Sequence, residues 1–100
     1  MKVTIEEKVN KYVITLEGEM DTAASLEVEE QLQPLYKPDG RDIIFECKGL
    51  EYIASSGLRI LLTILNGAKA SGSKVVMKDV NDVIKNVFNF TGFSTLFTFE

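Results

Sequence analysis

The chain of 100 residues contains no histidine. This absence removes the side chain that most often acts as a general base near neutral pH, and with it the serine-nucleophile triads that depend on an imidazole. Most transition-metal sites also use histidine. Catalysis by carboxylates or lysines alone is not excluded, but no pair of acidic residues lies in an apolar setting that would mark an active site. The sequence therefore predicts no catalytic residue, no metal site and no cofactor.

Cysteine and clustered basic residues are also scarce. Cys47 is the single cysteine, which excludes an intrachain disulfide, and its place in an apolar segment predicts a small buried side chain. The formal net charge is −4, and the lysines and arginines are scattered among acidic residues. Because nucleic-acid binding needs a concentrated positive surface, no nucleic-acid partner is expected.

Long apolar runs are absent as well. No segment approaches the roughly 18–20 apolar residues that a membrane-spanning helix needs, so no membrane insertion is expected. The segment Met1–Glu7 alternates charged and apolar residues, which is not the pattern of a secretory signal. These observations together predict a cytoplasmic protein.

Hydrophobic periodicity predicts strands that alternate with helices in a single domain, residues 1–100, with one modest core. The order β-β-α-β-α-β-α-β indicates an α/β fold with a mixed, mainly parallel sheet of four to five strands and three main helices. The predicted elements are strands Val3–Val9 and Tyr12–Gly18, a helix from Thr22 to about Tyr36, strand Asp42–Cys47, a helix from about Ser56 to Ala70, strand Lys74–Lys78, a helix capped by Asp79 or Asn81, and strand Leu96–Phe99.

The spacing of apolar residues indicates which faces are buried. Tyr12, Ile14 and Leu16 share one face of the second strand, which favours a sheet covered mainly on one side. Ile60 and Ile64 fall at the edge of the apolar stripe of the second helix, where most side chains belong to the core and some are half exposed and contact a partner. The predicted core positions are Ala24, Val28, Leu32 and Leu35 in the first helix, Leu58, Leu61, Leu62, Leu65 and Ala68 in the second, and Val80, Val83, Ile84, Val87 and Phe88 in the third.

The segment Ser55-Ser56-Gly57-Leu58 stands where a strand pattern gives way to a helical one. Hydroxyl side chains at such a junction cap the helix, and a phosphate attached there meets free backbone N–H groups and the positive end of the helix dipole. Phosphorylation adds about −1.5 to −2 charges at one surface point. The motif is consistent with a phosphorylation switch, or with two serines that only start a helix.

Three segments carry a resemblance to a known family: Gly18-Glu19-Met20-Asp21-Thr22-Ala23, Ser55-Ser56-Gly57-Leu58 and Thr91-Gly92-Phe93. Together with the order of elements, they resemble a STAS domain over nearly the whole chain. More narrowly, the chain is similar to a stand-alone bacterial anti-sigma factor antagonist. The position of the serine motif after the third strand, with Asp21 at the end of the second, makes this similarity specific.

The resemblance implies a binding protein that is switched by phosphorylation, and not an enzyme. Members of the family bind an anti-sigma factor that is also a serine kinase, which frees a sigma factor for transcription. The kinase phosphorylates the serine that matches Ser55, with Ser56 as the second choice here, and a PPM-type phosphatase restores the unmodified protein. Asp21 is expected near Ser55 and equally as the N-cap of the first helix. The residues expected to contact the partner are Asp21, Thr22, Ala54, Ser56, Gly57, Arg59 and Ile60.

Two positions depart from the family pattern. Ala54 stands where the family usually has an aspartate before the phosphorylated serine, and Glu46 lies where an aspartate is frequent near the end of the third strand. The missing carboxylate removes a charge and a hydrogen-bond acceptor beside Ser55. This difference is compatible with a differently tuned kinase, with phosphorylation at Ser56, or with binding that phosphorylation does not regulate.

Other functions stand as alternatives. A constitutive STAS subunit or scaffold, in a lipid-transport complex or a sensory assembly, binds partners without phosphorylation, and Ala54 is no defect there. A phospho-aspartate receiver needs acids at the carboxyl ends of its first and third strands to hold Mg²⁺, whereas here the first strand ends in Glu7-Lys8-Val9 and enters a hairpin. A small-molecule enzyme ranks last, for want of histidine, a glycine-rich phosphate loop or a convergent acid pair.

Overall fold

The computed structural model describes residues 1–100 and has the predicted order of elements. A five-stranded sheet is arranged β1-β2-β3-β4-β5; β1 is antiparallel to β2, and the other neighbours are parallel. The α/β class, the mixed sheet and the three helices are thus confirmed. The elements are β1 Lys2–Glu7, β2 Lys11–Met20, α1 Thr22–Leu32, a 3₁₀ turn Gln33–Tyr36, β3 Asp42–Ile53, α2 Ser55–Ser71, β4 Val75–Lys78, α3 Asp82–Thr91, a 3₁₀ turn Phe93–Thr95 and β5 Thr98–Phe99.

The first two strands form a hairpin closed by a tight turn. The Lys8 N–H donates to the Lys11 carbonyl oxygen at 2.8 Å, so β1 ends before the turn and not at Val9 as predicted. Arg41, just before β3, braces the hairpin through an ion pair with Glu7, Nη1 to Oε2 at 2.8 Å. The hairpin is therefore tied to the strand that leads toward the serine motif.

One face of the sheet is buried and the other is partly open, as predicted. Ile14 of β2 pairs with Phe45 of β3, which pairs with Met77 of β4, and all three side chains are fully buried. The next residues along β3 and β4, Glu46 and Lys78, face the opposite side, where their charged groups lie 3.9 Å apart. All three helices contribute to one core of 23 buried residues on the apolar face.

The first helix ends earlier than predicted. It stops at Leu32, and the chain continues through the 3₁₀ turn Gln33–Tyr36, which carries Pro34 in its first positions. A proline lacks the N–H and clashes with the preceding turn, so it does not continue an α-helix. The inward face also differs, because Ser25 is buried whereas Ala24 is only half-buried.

The second helix is buried over a wider arc than its apolar stripe suggested. Ile60 is 2% exposed and Ile64 is fully buried, so both belong to the core, while Leu62, predicted in the core, is only half-buried. The reason is that α2 contacts the sheet on one side and α1 with its 3₁₀ extension on the other. The contact is close at Gly67, where a Cβ atom would lie 1.9 Å from the carbonyl oxygen of Tyr36.

The N-cap of the third helix is Asn81, one of the two predicted caps. Its Oδ1 accepts a hydrogen bond from the Ile84 N–H at 2.9 Å, and its Nδ2 donates to the Leu50 carbonyl oxygen at 3.0 Å. Ile84 and Phe88 form the buried face of α3. Val83, predicted in the core, is 63% exposed, so that assignment was wrong.

The third strand is longer than predicted. The expected strand Asp42–Cys47 continues to Ile53, and β3 contains one extra residue opposite Thr15–Glu17 and another opposite Gly18–Glu19. Such bulges bend a strand and increase its twist. They bring the end of β3 beside Met20 at the end of β2, which positions the serine motif.

Candidate functional site

Two helix N-termini lie at one edge of the sheet. Met20 and Ile53 are paired at the ends of β2 and β3, and the Ala54 N–H donates to the Met20 carbonyl oxygen at 2.8 Å. Helix α1 begins directly after Asp21, and α2 begins directly after Ala54. The structure therefore brings the first turn of α1 beside the serine motif.

Asp21 is the N-cap of α1. Its Oδ1 accepts a hydrogen bond from the Ala24 N–H at 2.8 Å, and its backbone is extended, as is typical of an N-cap. This confirms the structural role that the sequence assigned to Asp21. Asp21 and the neighbouring Thr22 are both exposed, so their side chains are accessible to a partner.

The Ser56 hydroxyl belongs to a hydrogen-bonded chain between the two helices. Ser56 Oγ donates to Ser25 Oγ at 2.9 Å, and Ser25 Oγ donates to the Asp21 carbonyl oxygen at 2.7 Å. Ser25 is only 4% exposed. Sequence reasoning missed it, although Ser25, Val28 and Leu32 have the three-and-four spacing of an inward helix face.

Ser55 differs from Ser56 in both exposure and bonding. It is the exposed first residue of α2, and its hydroxyl makes no hydrogen bond within the chain. The N-cap is Ala54, which has no side-chain acceptor, so the expectation that a serine hydroxyl caps this helix was wrong. The helix starts one residue earlier than predicted, which places Ser55 inside the first turn.

Three predicted contact residues are buried. Ala54 is 9% exposed, Gly57 is buried, and Ile60 is 2% exposed. A Cβ atom at Gly57 would lie 2.6 Å from Met20 Sδ and 2.8 Å from Ile53 Cγ1, so the glycine lets α2 approach the ends of β2 and β3. The burial of these residues limits direct contact with a partner, and their assignment to partner binding stays a prediction.

A shallow groove of about 170 Å³ separates the first turns of α1 and α2. Its rim carries Leu26, an apolar side chain that is 73% exposed. The sequence did not single out Leu26, because it lies outside the inward stripe of α1. The groove is lined by Thr22, Ser25, Leu26 and Glu29 from α1 and by Ser56, Arg59 and Ile60 from α2.

The two charged side chains of the groove have different surroundings. Glu29 Oε2 accepts a hydrogen bond from the Tyr36 hydroxyl at 3.2 Å. Burial, and then the charge of Glu29, raise the pKa of Tyr36 above its usual value, while Arg59 acts in the opposite direction. The exposed Arg59 guanidinium takes part in none of the three ion pairs of the protein and in no hydrogen bond.

Cys47 lies in the core, as predicted, where burial and the nearby charges of Glu46 and Asp79 raise the pKa of its thiol to about 12. At neutral pH this thiol is therefore protonated and a poor nucleophile.

No group of three or more histidine, cysteine, aspartate or glutamate side chains is placed to hold a metal ion. None of the helices has the length and apolar character needed to cross a bilayer.

A comparison with known protein families gives one decisive match. The family model described as STAS domain matches residues 2–100. The chain belongs to the STAS domain family. This STAS domain is 24% identical over 97 residues to BtrV of Bordetella bronchiseptica, which is named as an anti-sigma factor antagonist; the match covers 97% of this chain and 84% of that protein. It is 28% identical over 85 residues to the anti-sigma-B factor antagonist of Staphylococcus aureus, covering 85% and 79%.

Solved structures confirm the STAS fold. The anti-sigma factor antagonist SpoIIAA in its unphosphorylated form matches with a TM-score of 0.82 at 20% identity, over 99% of this chain and 88% of that chain. The phosphorylated form of SpoIIAA, a Bacillus cell fate determinant, matches with a TM-score of 0.76 at 20% identity, over 99% and 91%. The predicted family and architecture are both confirmed.

Proposed function

We propose that this STAS domain is an anti-sigma factor antagonist. It binds an anti-sigma factor that is also a serine kinase, and thereby frees a sigma factor for transcription. Phosphorylation of Ser55 ends the binding, and a PPM-type phosphatase restores it. The family assignment and the names of its relatives in Bordetella bronchiseptica and Staphylococcus aureus support this role. In this role the protein is a regulatory binding protein of the cytoplasm, without catalytic activity of its own.

The observation that carries the proposal is the contrast between two adjacent hydroxyls. Ser55 is exposed and its Oγ is free, whereas the Ser56 Oγ is engaged with the buried Ser25. A kinase needs a hydroxyl that can enter its active site and approach the γ-phosphate of ATP. Ser55 meets that requirement without any rearrangement of the fold, and this supports it over Ser56.

Ala54 is compatible with phosphorylation at Ser55. Because the N-cap has no side-chain acceptor, the first-turn N–H groups of α2 are not occupied by a capping side chain. A phosphate on Ser55 lies at the positive end of the helix dipole, where negative charge is favourable. An aspartate at position 54 would compete for the same N–H groups and repel the phosphate. The alanine therefore favours the phosphorylated form of this domain.

The switch acts on the complex more than on the domain. The γ-phosphoryl group of ATP passes to Ser55 Oγ, the hydroxyl proton goes to a base of the kinase, and ADP is released. The added charge and bulk must then be desolvated against the partner surface. A loss of roughly 1.4–3 kcal/mol in the complex weakens binding about ten- to more than a hundredfold.

Phosphosite mapping tests this proposal directly. The parent protein and the variants Ser55→Ala, Ser56→Ala and Thr63→Ala are incubated with ATP in a lysate of the source organism and measured by intact-protein and peptide mass spectrometry. Thr63 is the control, since it is an exposed hydroxyl on the same helix. We expect one phosphate in every protein except Ser55→Ala. A phosphate that persists in Ser55→Ala contradicts the proposal, and so does its absence from the parent when a control STAS substrate is labelled.

A second candidate is a constitutive STAS subunit or scaffold of a lipid-transport complex or sensory assembly. The observation that favours it is Ala54, because the position before Ser55 presents no carboxylate to a kinase. Such a subunit is expected to co-purify with its partner whether or not ATP is present, and Ser55→Asp leaves that association unchanged. The switch predicts the opposite result for both measurements.

A further inference from the structure

The groove beside Ser55 contains a cation without a partner. Arg59 is exposed and forms no ion pair, and it is the one cation that lines the groove. Glu29, the one acidic side chain that lines the groove, accepts a hydrogen bond from Tyr36 and is not paired with Arg59. An Arg guanidinium offers five donors in a planar fork that matches a carboxylate or a phosphate. The groove therefore has an unused site for an oxyanion.

The position of Arg59 relates it to Ser55. The two residues are four apart on α2, so they occupy the same side of the helix one turn from each other. Side chains of a helix lean toward its N-terminus, so the first turn of α2 is accessible to Arg59, whose charge also acts on Tyr36 across the groove. Both side chains are exposed, and no other side chain of the chain is hydrogen-bonded to either of them. A phosphate on Ser55 thus falls within the reach of the guanidinium.

We propose that Arg59 is a shared cation that binds a carboxylate of the anti-sigma partner in the unmodified protein and the phosphate of Ser55 in the modified protein. This inference rests on the proposed function and specifies how its regulation works. Phosphorylation then does more than repel the partner, because it removes from the docking surface the group that held the partner's carboxylate. The two oxyanions compete for one guanidinium.

The rest of the groove defines the partner segment. Leu26 stands exposed on the rim, and Ile60 contributes apolar surface to the lining. Because Arg59 is the one cation among the lining residues, a complementary segment presents a carboxylate next to an apolar side chain. The apolar group covers Leu26, and the carboxylate meets Arg59 in a bidentate pair.

The intramolecular half of the proposal is tested without any partner. Protein with phosphoserine at position 55 is titrated by ³¹P NMR in three forms: the parent, Arg59→Gln and the control Lys69→Gln. Lys69 is an exposed cation near the other end of α2. A nearby cation stabilises the dianionic phosphate, so the titration midpoint of Arg59→Gln should lie at higher pH than those of the other two. Asp21 and Glu29 are present in all three proteins and do not affect the comparison. Equal midpoints overturn the proposal.

The competition is tested by a cycle of four proteins. The unmodified and phosphoserine-55 forms of the parent and of Arg59→Gln are titrated calorimetrically with the purified serine kinase that labels Ser55 in the mapping experiment, without ATP. Phosphorylation should raise the dissociation constant in both backgrounds. We expect the ratio of the phosphorylated to the unmodified dissociation constant to be about two- to tenfold smaller for Arg59→Gln than for the parent, because the variant has already lost the guanidinium for which the two oxyanions compete. Lys69→Gln should keep the parent's ratio.

The outcomes separate the two proposals. If phosphorylation weakens binding by the same factor in the parent and in Arg59→Gln, the shared cation is wrong while the antagonist function stands. If phosphorylation leaves the parent's affinity unchanged, the proposed switch itself is wrong. Thermal unfolding of Arg59→Gln checks its fold, and an exposed substitution of this kind is expected to change stability little.

Discussion

At the residue scale, Ser55 and Ser56 are neighbours in the chain with different environments. Ser56 points toward α1 and donates to Ser25, while Ser55 faces solvent from the first turn of α2. A residue's place on the helix surface decides this difference, since successive residues are about 100° apart around the axis. The sequence named both serines and preferred Ser55 from the family resemblance. The hydrogen bond to Ser25 engages the Ser56 hydroxyl, and this supports the proposal that Ser55 is the modified residue.

Charge at position 55 is expected to weaken partner binding without unfolding the domain. Ser55→Asp should bind the anti-sigma kinase at least about tenfold more weakly than the parent, as measured by calorimetry. Its melting temperature should be unchanged or slightly raised, because an acidic residue in the first turn suits the helix dipole. Ser55→Ala should bind normally and resist release by ATP.

The control for this prediction is Asn66→Asp. Asn66 is exposed on the same side of α2, three turns from Ser55, so it receives an equal charge at a distance from the site. A similar loss of affinity in Asn66→Asp would show that overall charge, and not the position of Ser55, governs binding. Unchanged affinity of Ser55→Asp would contradict the switch itself.

The hydrogen bond between Ser25 and Ser56 is expected to contribute to stability. Ser25→Ala should lower the free energy of unfolding by about 0.5–1.5 kcal/mol, because it removes one hydrogen bond between α1 and α2. In a double-mutant cycle measured by urea denaturation, Ser56→Ala should cost little once Ser25 has been replaced. Thr63→Ala serves as the control, since its hydroxyl bonds only the Arg59 carbonyl in its own helix. Strictly additive losses would mean that the two serines do not interact.

At the element scale, α2 shows how packing on two sides changes the meaning of a helical pattern. A stripe at three-and-four spacing correctly located Leu58, Leu61 and Leu65. Leu62, predicted in the core, is only half-buried, and Ile60, predicted at the edge of the stripe, is 2% exposed. The reason is that the contact with α1 and its 3₁₀ extension lies to one side of the stripe. The direction from which a second layer covers a helix is not encoded in the periodicity of that helix.

Two adjacent leucines of α2 allow this packing to be measured. Leu61 is fully buried, so Leu61→Ala should lower the free energy of unfolding by about 2–5 kcal/mol through the cavity it leaves. Leu62→Ala makes the same chemical change at a half-buried position and should cost clearly less. Urea denaturation of both variants decides the matter, and equal losses would contradict the described orientation of α2.

Element ends were harder to predict than element order. The sequence predicts that the third strand ends at Cys47, because Lys48 and Gly49 interrupt its apolar alternation. In the structure β3 continues through these two residues, and the bulges explain how it does so. The predicted first helix runs past Pro34, whereas in the structure the chain changes to 3₁₀ geometry there, which keeps Leu35 in the core. In both places pairing or packing with distant segments maintains structure that the local pattern does not support.

At the scale of the whole molecule, one core on one face of the sheet organises the site. The order β1-β2-β3-β4-β5 places β2 and β3 side by side, so the helices that follow them begin at the same edge. The groove, Ser55 and Arg59 all lie where α1 and α2 leave that edge. The same core buries Cys47, whose thiol the proposed function does not use.

The buried thiol predicts a loss of stability at alkaline pH. The folded protein raises the pKa of Cys47 from 9.0 to about 12, so between these values the unfolded chain loses the proton while the folded chain keeps it. Deprotonation then favours unfolding, and this contribution to the unfolding free energy falls by up to about 1.4 kcal/mol per pH unit. Below pH 9 the contribution is constant.

Urea denaturation between pH 7 and 11 measures this effect, with Cys47→Ala as the comparison. The variant lacks the thiol but retains every tyrosine and lysine, so the difference between the two pH profiles isolates Cys47. We expect the parent's stability to decline more steeply above pH 9. Parallel profiles would show that the thiol ionises equally in the folded and unfolded states.

The sequence by itself determined the order of the elements, the α/β class, the family and the position of the serine motif. These follow from local signals: periodicities of two and of about 3.6 residues, glycine turns, and short motifs read within a few positions. Asp21 as a helix cap is an example, because the acceptor and the Ala24 N–H it binds are three residues apart.

Only the tertiary structure decided which serine hydroxyl is free, which face of α2 meets α1, and that Arg59, the one cation of the groove, has no ion-pair partner. Each of these depends on residues that are distant in the chain, as Ser25 and Ser56 are, and on the bulges that set the end of β3 beside β2. The free energy of such contacts is gained only when α1 and α2 pack on the same sheet, so the residue pattern within one helix does not predict them.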